Sequence, residues 1–364
     1  MSRLRLPVAA LVLIVCALFF GGCAGPYSIK PTSVTKIFKE RTTTALNSSQ
    51  LSEFTQQKLR LMAMDTEYRA EPQAVTRQLY DEVRKTRDPE LTVATAEMAL
   101  LEARQLERKD APAAAAMNLA AASLAYDYLF ADQQLKPSDA LKPSYRFMAD
   151  VYNMASSGLV ENRGLREDLW TDQPGIRALA TTYDLTIHKK GGMLWNPNVF
   201  DSIKAANDIK IGGFRNAYFS RGLGAPMVGY VNDPRANPEL GRYFPPKGAA
   251  FAVTAMLTFG PATEVEGGWR RKADLTFYNS VFNDYAFLHG MKVPLEADYT
   301  TPLAVLLSRI QSPDQGFEGM LHGDRYLAQT GMRMLEPWQA DKIPVVMVHG
   351  LMSTPKPGST CSTT

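Results

Sequence analysis

The first half of the chain carries apolar residues at helical spacing. Val75, Leu79 and Val83 lie four residues apart, and this spacing places them on one face of a helix. Similar stripes follow in the next two segments, formed by Leu91, Met98, Leu101, Leu119, Leu124 and Leu129. Prolines stand near the segment starts, where a missing N–H costs little, at Pro72, Pro89, Pro112 and Pro137. The pattern predicts a helical domain over residues 46–165.

The predicted helices are short, follow one another closely and carry many alanines, above all between Ala111 and Phe130. Helices of this length, joined by brief turns and with small residues at close contacts, resemble tetratricopeptide-type hairpins. A plain helical bundle fits the same pattern. The resemblance implies a surface for a protein partner, because stacked helical repeats commonly bind proteins.

The pattern changes near Trp170, and residues 166–300 are predicted to be β-rich. Val253, Ala255 and Leu257 alternate with their neighbours, which indicates a strand with one buried face. Short β-type runs recur between turn-forming Gly, Pro and Asn residues, and they read YDLTIH, DIKIGGF, MVGYVN, FAVTAMLTF and KADLTFYNSVF.

This region offers little recognisable chemistry. His188, His289 and His322 occur singly and lack the spacing of metal ligands, so we expect no metal and no cofactor. A lone histidine is usually a surface or structural residue. Glu264 and Glu266 are interpreted as solvated charges near a turn.

The amino terminus has the build of a signal peptide. Arg3 and Arg5 precede the apolar run from Val8 to Phe20, which is too short to span a bilayer comfortably. The run ends in Phe20-Gly21-Gly22-Cys23, and small residues before a cysteine resemble the lipobox of bacterial lipoproteins. An ordinary signal peptide or an uncleaved anchor is the alternative.

The lipobox resemblance implies cleavage of residues 1–22 and a lipid on Cys23, followed by a tether over residues 23–45. Two or more acyl chains hold a protein firmly on a membrane. Ala24 instead of aspartate after the cysteine, by resemblance to sorted Gram-negative lipoproteins, implies an outer-membrane lipoprotein.

Composition limits the remaining classes. The chain has 364 residues, of which 45% are hydrophobic and 21% charged, as in globular proteins. The formal net charge of +3 becomes +1 once Arg3 and Arg5 are removed, so we expect no nucleic-acid partner. Cys16 leaves with the signal peptide and Cys23 is expected to be acylated. Cys361 then remains alone, which predicts a mature monomer without an internal disulfide.

The segment from Ile343 to Pro355 carries the most specific motif. It reads as an apolar strand followed by His349-Gly350 and a loop, and it resembles the third strand and oxyanion loop of the α/β-hydrolase fold. The resemblance extends in outline to lipoprotein α/β-hydrolases of Gram-negative bacteria. It implies that His349, Gly350, Leu351 and Met352 form the oxyanion loop, in which a backbone N–H stabilises the charge of a tetrahedral intermediate.

A serine hydrolase also needs a Gly-x-Ser-x-Gly elbow, an acid and a histidine, in that order after the oxyanion loop. The sequence contains no such elbow, and Ser353 has no assigned base. Residues 301–355 are therefore expected to be the incomplete start of a hydrolase domain, and residues 356–364 a disordered or frameshifted tail. We expect a truncated chain that is poorly soluble and inactive on esters.

These observations predict an α+β multi-domain protein. Its parts are a helical region, a β-rich region and the first strands only of an α/β-hydrolase sheet. The predicted function is the N-terminal part of a membrane-anchored serine hydrolase of the esterase or lipase type. The alternative is a non-catalytic envelope lipoprotein whose helical region is a scaffold for a protein partner.

Overall fold

The computed structural model describes residues 31–130, 142–163, 171–190, 200–212, 214–236, 238–241, 244, 248–310 and 343–346. The chain divides into two compact units, residues 1–42 and residues 43–364. In the first unit, helix α1 spans Val34–Arg41 and is capped by Ser33, whose side chain accepts the backbone N–H of Lys36.

The second unit is a mixed α+β structure in which helices come mainly first and strands later, as predicted. Its helices before the sheet are α2 (Glu53–Leu61), α3 (Asp65–Ala70), α4 (Pro72–Thr86), α5 (Pro89–Leu106), α6 (Ala111–Phe130) and α7 (Pro143–Arg163). Pro72 and Pro89 occupy first helical positions. The side chain of Asp88 caps α5 by accepting the N–H of Leu91 at 2.9 Å.

Helix α6 lies at the centre of this unit. All residues from Ala114 to Tyr126 are buried, because α6 packs against α5, α7 and strands of the sheet. The alanines allow these close approaches on several sides. The helices and strands thus share one hydrophobic core, so the predicted helical and β-rich regions follow one another in the chain but pack together.

The strands are β1 (Gln173–Ala178), β2 (Thr181–Lys190), β3 (Ser202–Ala205), β4 (Phe219–Ser220), β5 (Ala225–Val231), β6 (Ala249–Phe259), β7 (Thr263–Val265), β8 (Gly268–Asn279), β9 (Tyr285–Leu288), β10 (Met291–Pro294) and β11 (Ala297–Asp298). A short helix, α8 (Pro238–Gly241), precedes β6, and α9 (Thr300–Ile310) follows β11. The main sheet has seven strands in the order β1-β2-β8-β6-β5-β3, with β7 paired to β8.

One pairing in this sheet is parallel. Strands β2 and β8 run parallel from Thr181–Trp269 to Lys190–Tyr278, whereas the other pairs are antiparallel. Every residue of β5 is buried, so both of its faces are covered. Helices α7 and α9 both pack on β5 and β6.

Four of the five predicted strands are confirmed, and one is wrong. YDLTIH, MVGYVN, FAVTAMLTF and KADLTFYNSVF lie wholly or largely in β2, β5, β6 and β8. DIKIGGF was expected to be a strand, but a 3₁₀ turn over Ala206–Asp208 precedes irregular backbone over residues 209–212. The two glycines remove side chains that a strand would pack.

Candidate functional site

The residues that the sequence singles out for function lie largely outside the described part of the chain. Cys23 precedes it, and His349, Gly350, Leu351 and Met352 fall beyond residue 346. The described residues nearest to these positions in the chain are residues 31–33, which lead into α1, on one side and residues 343–346 on the other.

Residues 343–346 do not form the buried strand that the sequence predicts. They have no regular secondary structure, and Ile343, Val345 and Val346 are 90%, 81% and 66% exposed. A continuously apolar parallel strand is stable when neighbouring strands satisfy its backbone and other elements cover its faces. Among the described residues, no strand pairs with this segment.

The best-built polar cluster lies where α4 and α6 meet β8. Arg271 on β8 is only 4% exposed, and its guanidinium donates to both carboxylate oxygens of Asp127 at 2.5 and 2.9 Å. The same group donates to the Ser123 hydroxyl at 2.6 Å and to the carbonyl of Gly260 at 2.7 Å. These four bonds satisfy a buried charge, as its desolvation requires.

A second arginine shares the same carboxylate. Arg84 on α4 donates to Asp127 at 2.8 Å, and its guanidinium lies 5.6 Å from the ring centroids of both Tyr80 and Trp269. Its Nη2 atom is buried without a hydrogen-bond partner in the described structure. Two cations therefore face one anion, and their ion pairs with Asp127 join α4 and α6 to β8.

Tyrosines extend this cluster into the core. The hydroxyl of Tyr80 lies 2.6 Å from that of Thr181 and 3.3 Å from that of Tyr183. Burial raises the pKa of Tyr183 well above its usual value, so this phenol stays protonated. The hydrogen bonds of this cluster link α4 and α6 to β2 and β8.

The described histidines have other partners. The Nε2 atom of His188 on β2 lies 2.7 Å from the Oδ1 atom of Asp274 on β8, and this pair is exposed. The Nε2 atom of His289 lies 2.8 Å from the hydroxyl of Tyr126. In the described structure, no serine hydroxyl is hydrogen-bonded to either histidine, so these residues hold no serine-histidine-acid triad. His322 lies outside the described residues.

Carboxyl groups meet at the end of α7. Glu161 accepts the backbone N–H of Ala205 at 2.8 Å and is hydrogen-bonded to Asp208. Burial raises the pKa of Glu161 to about 7, and Asp208 adds to the rise. Among the residues that the structure describes, no group of three or more acidic, histidine or cysteine side chains is arranged to hold a metal ion.

A surface cleft of about 460 Å³ lies between the start of α4 and the end of α5. Glu102, Gln73 and Lys109 line it. One oxygen of Glu102 is buried without a partner in the described structure, and burial raises the pKa of this carboxyl. Polar and apolar side chains both line this cleft.

Sequence reasoning missed the Arg271–Asp127 cluster, although one signal was present. Asp127 is the only charged residue between Ala111 and Phe130, and a single charge in an otherwise apolar buried helix needs a partner. The partner itself, 144 positions later, could not be identified from the sequence.

Comparisons with known proteins identify no relative: no family model, characterised protein or solved structure matches this chain.

Within the described ranges, no helix has both the length and the apolar character needed to cross a bilayer.

Proposed function

We propose that this chain is a lipoprotein anchored through Cys23 to the bacterial outer membrane, and that it is the N-terminal part of a serine hydrolase of the esterase or lipase type. The anchor is supported by the sequence of residues 1–25, in which charge, apolar run and cysteine follow in lipobox order. In this proposal, residues 43–310 are an accessory structure that positions a substrate or a partner.

The observation that carries the hydrolase proposal is the exposure of the apolar run that leads into His349-Gly350. Burying an isoleucine or valine side chain stabilises a protein by about 1.5 to 3 kcal/mol. Ile343, Val345 and Val346 do not gain this stabilisation in the described structure. Further strands of an α/β-hydrolase sheet would cover them and would place His349, Gly350, Leu351 and Met352 at an active site.

The proposal includes the resemblance of the helical region to tetratricopeptide-type hairpins. Helices α4 to α7 each pack on the next in chain order, as stacked tetratricopeptide-type hairpins do. Helices α6 and α7 also contact the sheet. Helix α5 is buried from Leu91 to Leu101, so a partner of the helical region would bind the outer surface of α2 to α4.

Because the sequence contains no Gly-x-Ser-x-Gly elbow, the proposal requires that this chain alone is inactive. The purified chain should neither hydrolyse p-nitrophenyl butyrate nor react with a fluorophosphonate probe. Turnover that is abolished by Ser353→Ala would overturn this assignment. A longer product of the same reading frame that contains the elbow should react with the probe and lose turnover when its elbow serine is replaced.

The anchor has its own test. Cells that express the wild-type chain should incorporate labelled palmitate into it and retain it in the outer-membrane fraction. Cys23→Ala should abolish both. Incorporation that survives Cys23→Ala would contradict lipidation at this residue.

A second candidate function is a non-catalytic scaffold. It is favoured by exposed apolar side chains on and just after α2, namely Phe54, Leu61 and Met62. A photo-crosslinker at position 61 should then capture one defined envelope protein in living cells, whereas the same group at the exposed position 77 should not. Equal capture at both positions would count against this function.

A further inference from the structure

Helix α1 exposes an apolar face. Val34, Ile37 and Phe38 occur at positions i, i+3 and i+4, so they lie on the same side of the helix. They are 84%, 37% and 67% exposed, and no residue of α1 is buried. The opposite side presents Thr35 and Lys36. The helix is therefore amphipathic, and the side chains of its apolar face are not buried.

The charge of this segment differs from that of the rest of the chain. Residues 23–42 contain Lys30, Lys36, Lys39, Arg41 and only one acid, Glu40, which gives a formal charge of +3. Once this charge and the two arginines of the signal peptide are subtracted from the total of +3, residues 43–364 carry −2. Positive charge is thus concentrated in the segment of sequence that contains this helix, as in helices that bind anionic lipid surfaces.

The position of α1 in the chain limits its distance from the proposed anchor. Ten residues, 24–33, separate Cys23 from Val34. Even fully extended, such a segment spans only about 35 Å. A lipid on Cys23 would hold α1 close to the headgroups and give it a high effective concentration there.

We propose that α1 is a second membrane contact, which lies in the plane of the leaflet with Val34, Ile37 and Phe38 among the upper acyl chains. Lys36 and Arg41 then lie near the phosphates of anionic phospholipids. Arg41 is on the same side of the helix as Val34, and its long side chain extends past the apolar face so that the guanidinium reaches the phosphates. This proposal rests on the lipid anchor for its setting, but the contact itself depends only on residues 33–42. Stable anchoring commonly takes two such signals.

The contact is measured without the acyl group. The chain from residue 23 onward, carrying Cys23→Ser, is mixed with vesicles of phosphatidylethanolamine and phosphatidylglycerol at a 3:1 ratio and separated by flotation. We expect it to float with these vesicles, and to float at least fivefold less with phosphatidylcholine vesicles. The double variant Ile37→Ser/Phe38→Ser should reduce flotation with the anionic vesicles at least fivefold.

The matched control is Phe287→Ser, because Phe287 is 70% exposed and therefore as accessible as Phe38. This control should float like the parent chain. Flotation that is absent in the parent chain, or unchanged by the double variant, would overturn the proposal. A dimer that forms without vesicles and is lost in the double variant would also overturn it, and would assign the apolar face to self-association.

Failure of this contact is separable from failure of the anchor. Palmitate incorporation at Cys23 reports on the anchor alone, and flotation of the Cys23→Ser chain reports on α1 alone. A chain that incorporates palmitate but does not float after Cys23→Ser would retain the proposed anchor and overturn the role of α1.

Discussion

The carboxylate of Glu97 on α5 lies 2.9 Å from the backbone nitrogen of Ala45, 52 residues earlier in the chain. Glu97 is fully buried, and it also accepts the backbone N–H of Ser52 at 2.8 Å and the hydroxyls of Ser52 and Thr55 at 2.6 and 2.5 Å. Arg104, seven residues further along α5, donates to the carbonyls of Ala45 and Ser48. One face of α5 thus fixes the segment that leads into α2.

Replacing Glu97 with alanine should destabilise the protein strongly, because four donors would lose their acceptor in a buried site. We expect a loss of about 3 to 5 kcal/mol in the free energy of unfolding, measured by urea denaturation. Glu90→Ala is the control on the same helix. It removes only the exposed pair with Lys58, so its cost should be below about 1 kcal/mol. Similar losses for the two variants would contradict the role of Glu97.

The Arg271–Asp127 cluster predicts unequal effects for its members. Asp127→Ala leaves the buried Arg271 without its counter-ion and should cost about 3 to 5 kcal/mol. Arg84→Ala leaves the Arg271–Asp127 pair in place, so its cost should be smaller, about 1.5 to 3 kcal/mol. Chemical denaturation of both variants tests this order. A larger loss for Arg84→Ala would show that Arg84 is the main partner of Asp127.

Tyr152 forms hydrogen bonds with the backbone of β6 where this strand extends past its neighbour β5. Strand β5 begins at Ala225, opposite Ala255 of β6, so Leu257 extends beyond that pairing. The hydroxyl of Tyr152, on α7, accepts the N–H of Leu257 at 2.7 Å and donates to the carbonyl of the same residue.

Tyr152→Phe should therefore leave two buried backbone groups without partners. Each such group costs about 1 to 3 kcal/mol, so we expect a total loss of roughly 2 to 4 kcal/mol in thermal or urea unfolding. Tyr128→Phe removes a single bond to the hydroxyl of Ser144, 2.8 Å away in a half-buried site, and should cost about 0.5 to 1.5 kcal/mol. A neutral Tyr152→Phe would mean that water replaces the hydroxyl.

Glu161 predicts a dependence of stability on pH. Burial raises its pKa from 4.5 to about 7 in the folded protein, so folding favours the protonated form. The stabilisation from the bound proton is present below pH 4.5 and is lost as the pH rises through about 7. The wild-type protein should therefore lose stability across this interval relative to Glu161→Gln, which does not titrate.

The measurement is the free energy of unfolding of both proteins at several pH values from 4.5 to 8. Asp184→Asn is the control, because Arg270 lowers the pKa of Asp184 and its titration lies below this interval. The difference between wild type and Glu161→Gln should grow with pH. A constant difference would show that Glu161 is ionised throughout.

The sequence predicted what depends on local periodicity. Val75, Leu79 and Val83 are buried on one face of α4, and the alternating residues Val253, Ala255 and Leu257 of β6 are buried in the sheet. The pattern did not distinguish a strand covered on one face from a strand covered on both. Thr254 and Met256, between the predicted core positions of β6, are buried as well, because a second layer covers that face.

The candidate site was less predictable for a different reason. Asp127, Arg271 and Arg84 meet through tertiary packing, and no spacing along the chain encodes their contact. The hairpin of β9 and β10 was also missed. Exposed and buried side chains alternate along β9, but all four of its residues are hydrophobic, so the sequence shows no alternation of apolar and polar residues. Lipidation at Cys23 and the oxyanion role of residues 349–352 stay predictions, because they lie outside the described residues.

The parallel pairing of β2 with β8 has a consequence for folding during synthesis. Lys190, the last residue of β2, is made 89 residues before Asn279, the last residue of β8, and α6 is complete still earlier. The sheet over α6 therefore cannot close until most of the unit has been synthesised. Long-range pairings of this kind are slow to form and leave apolar surface open in the interim. The nascent chain should consequently depend on chaperones until β8 has emerged.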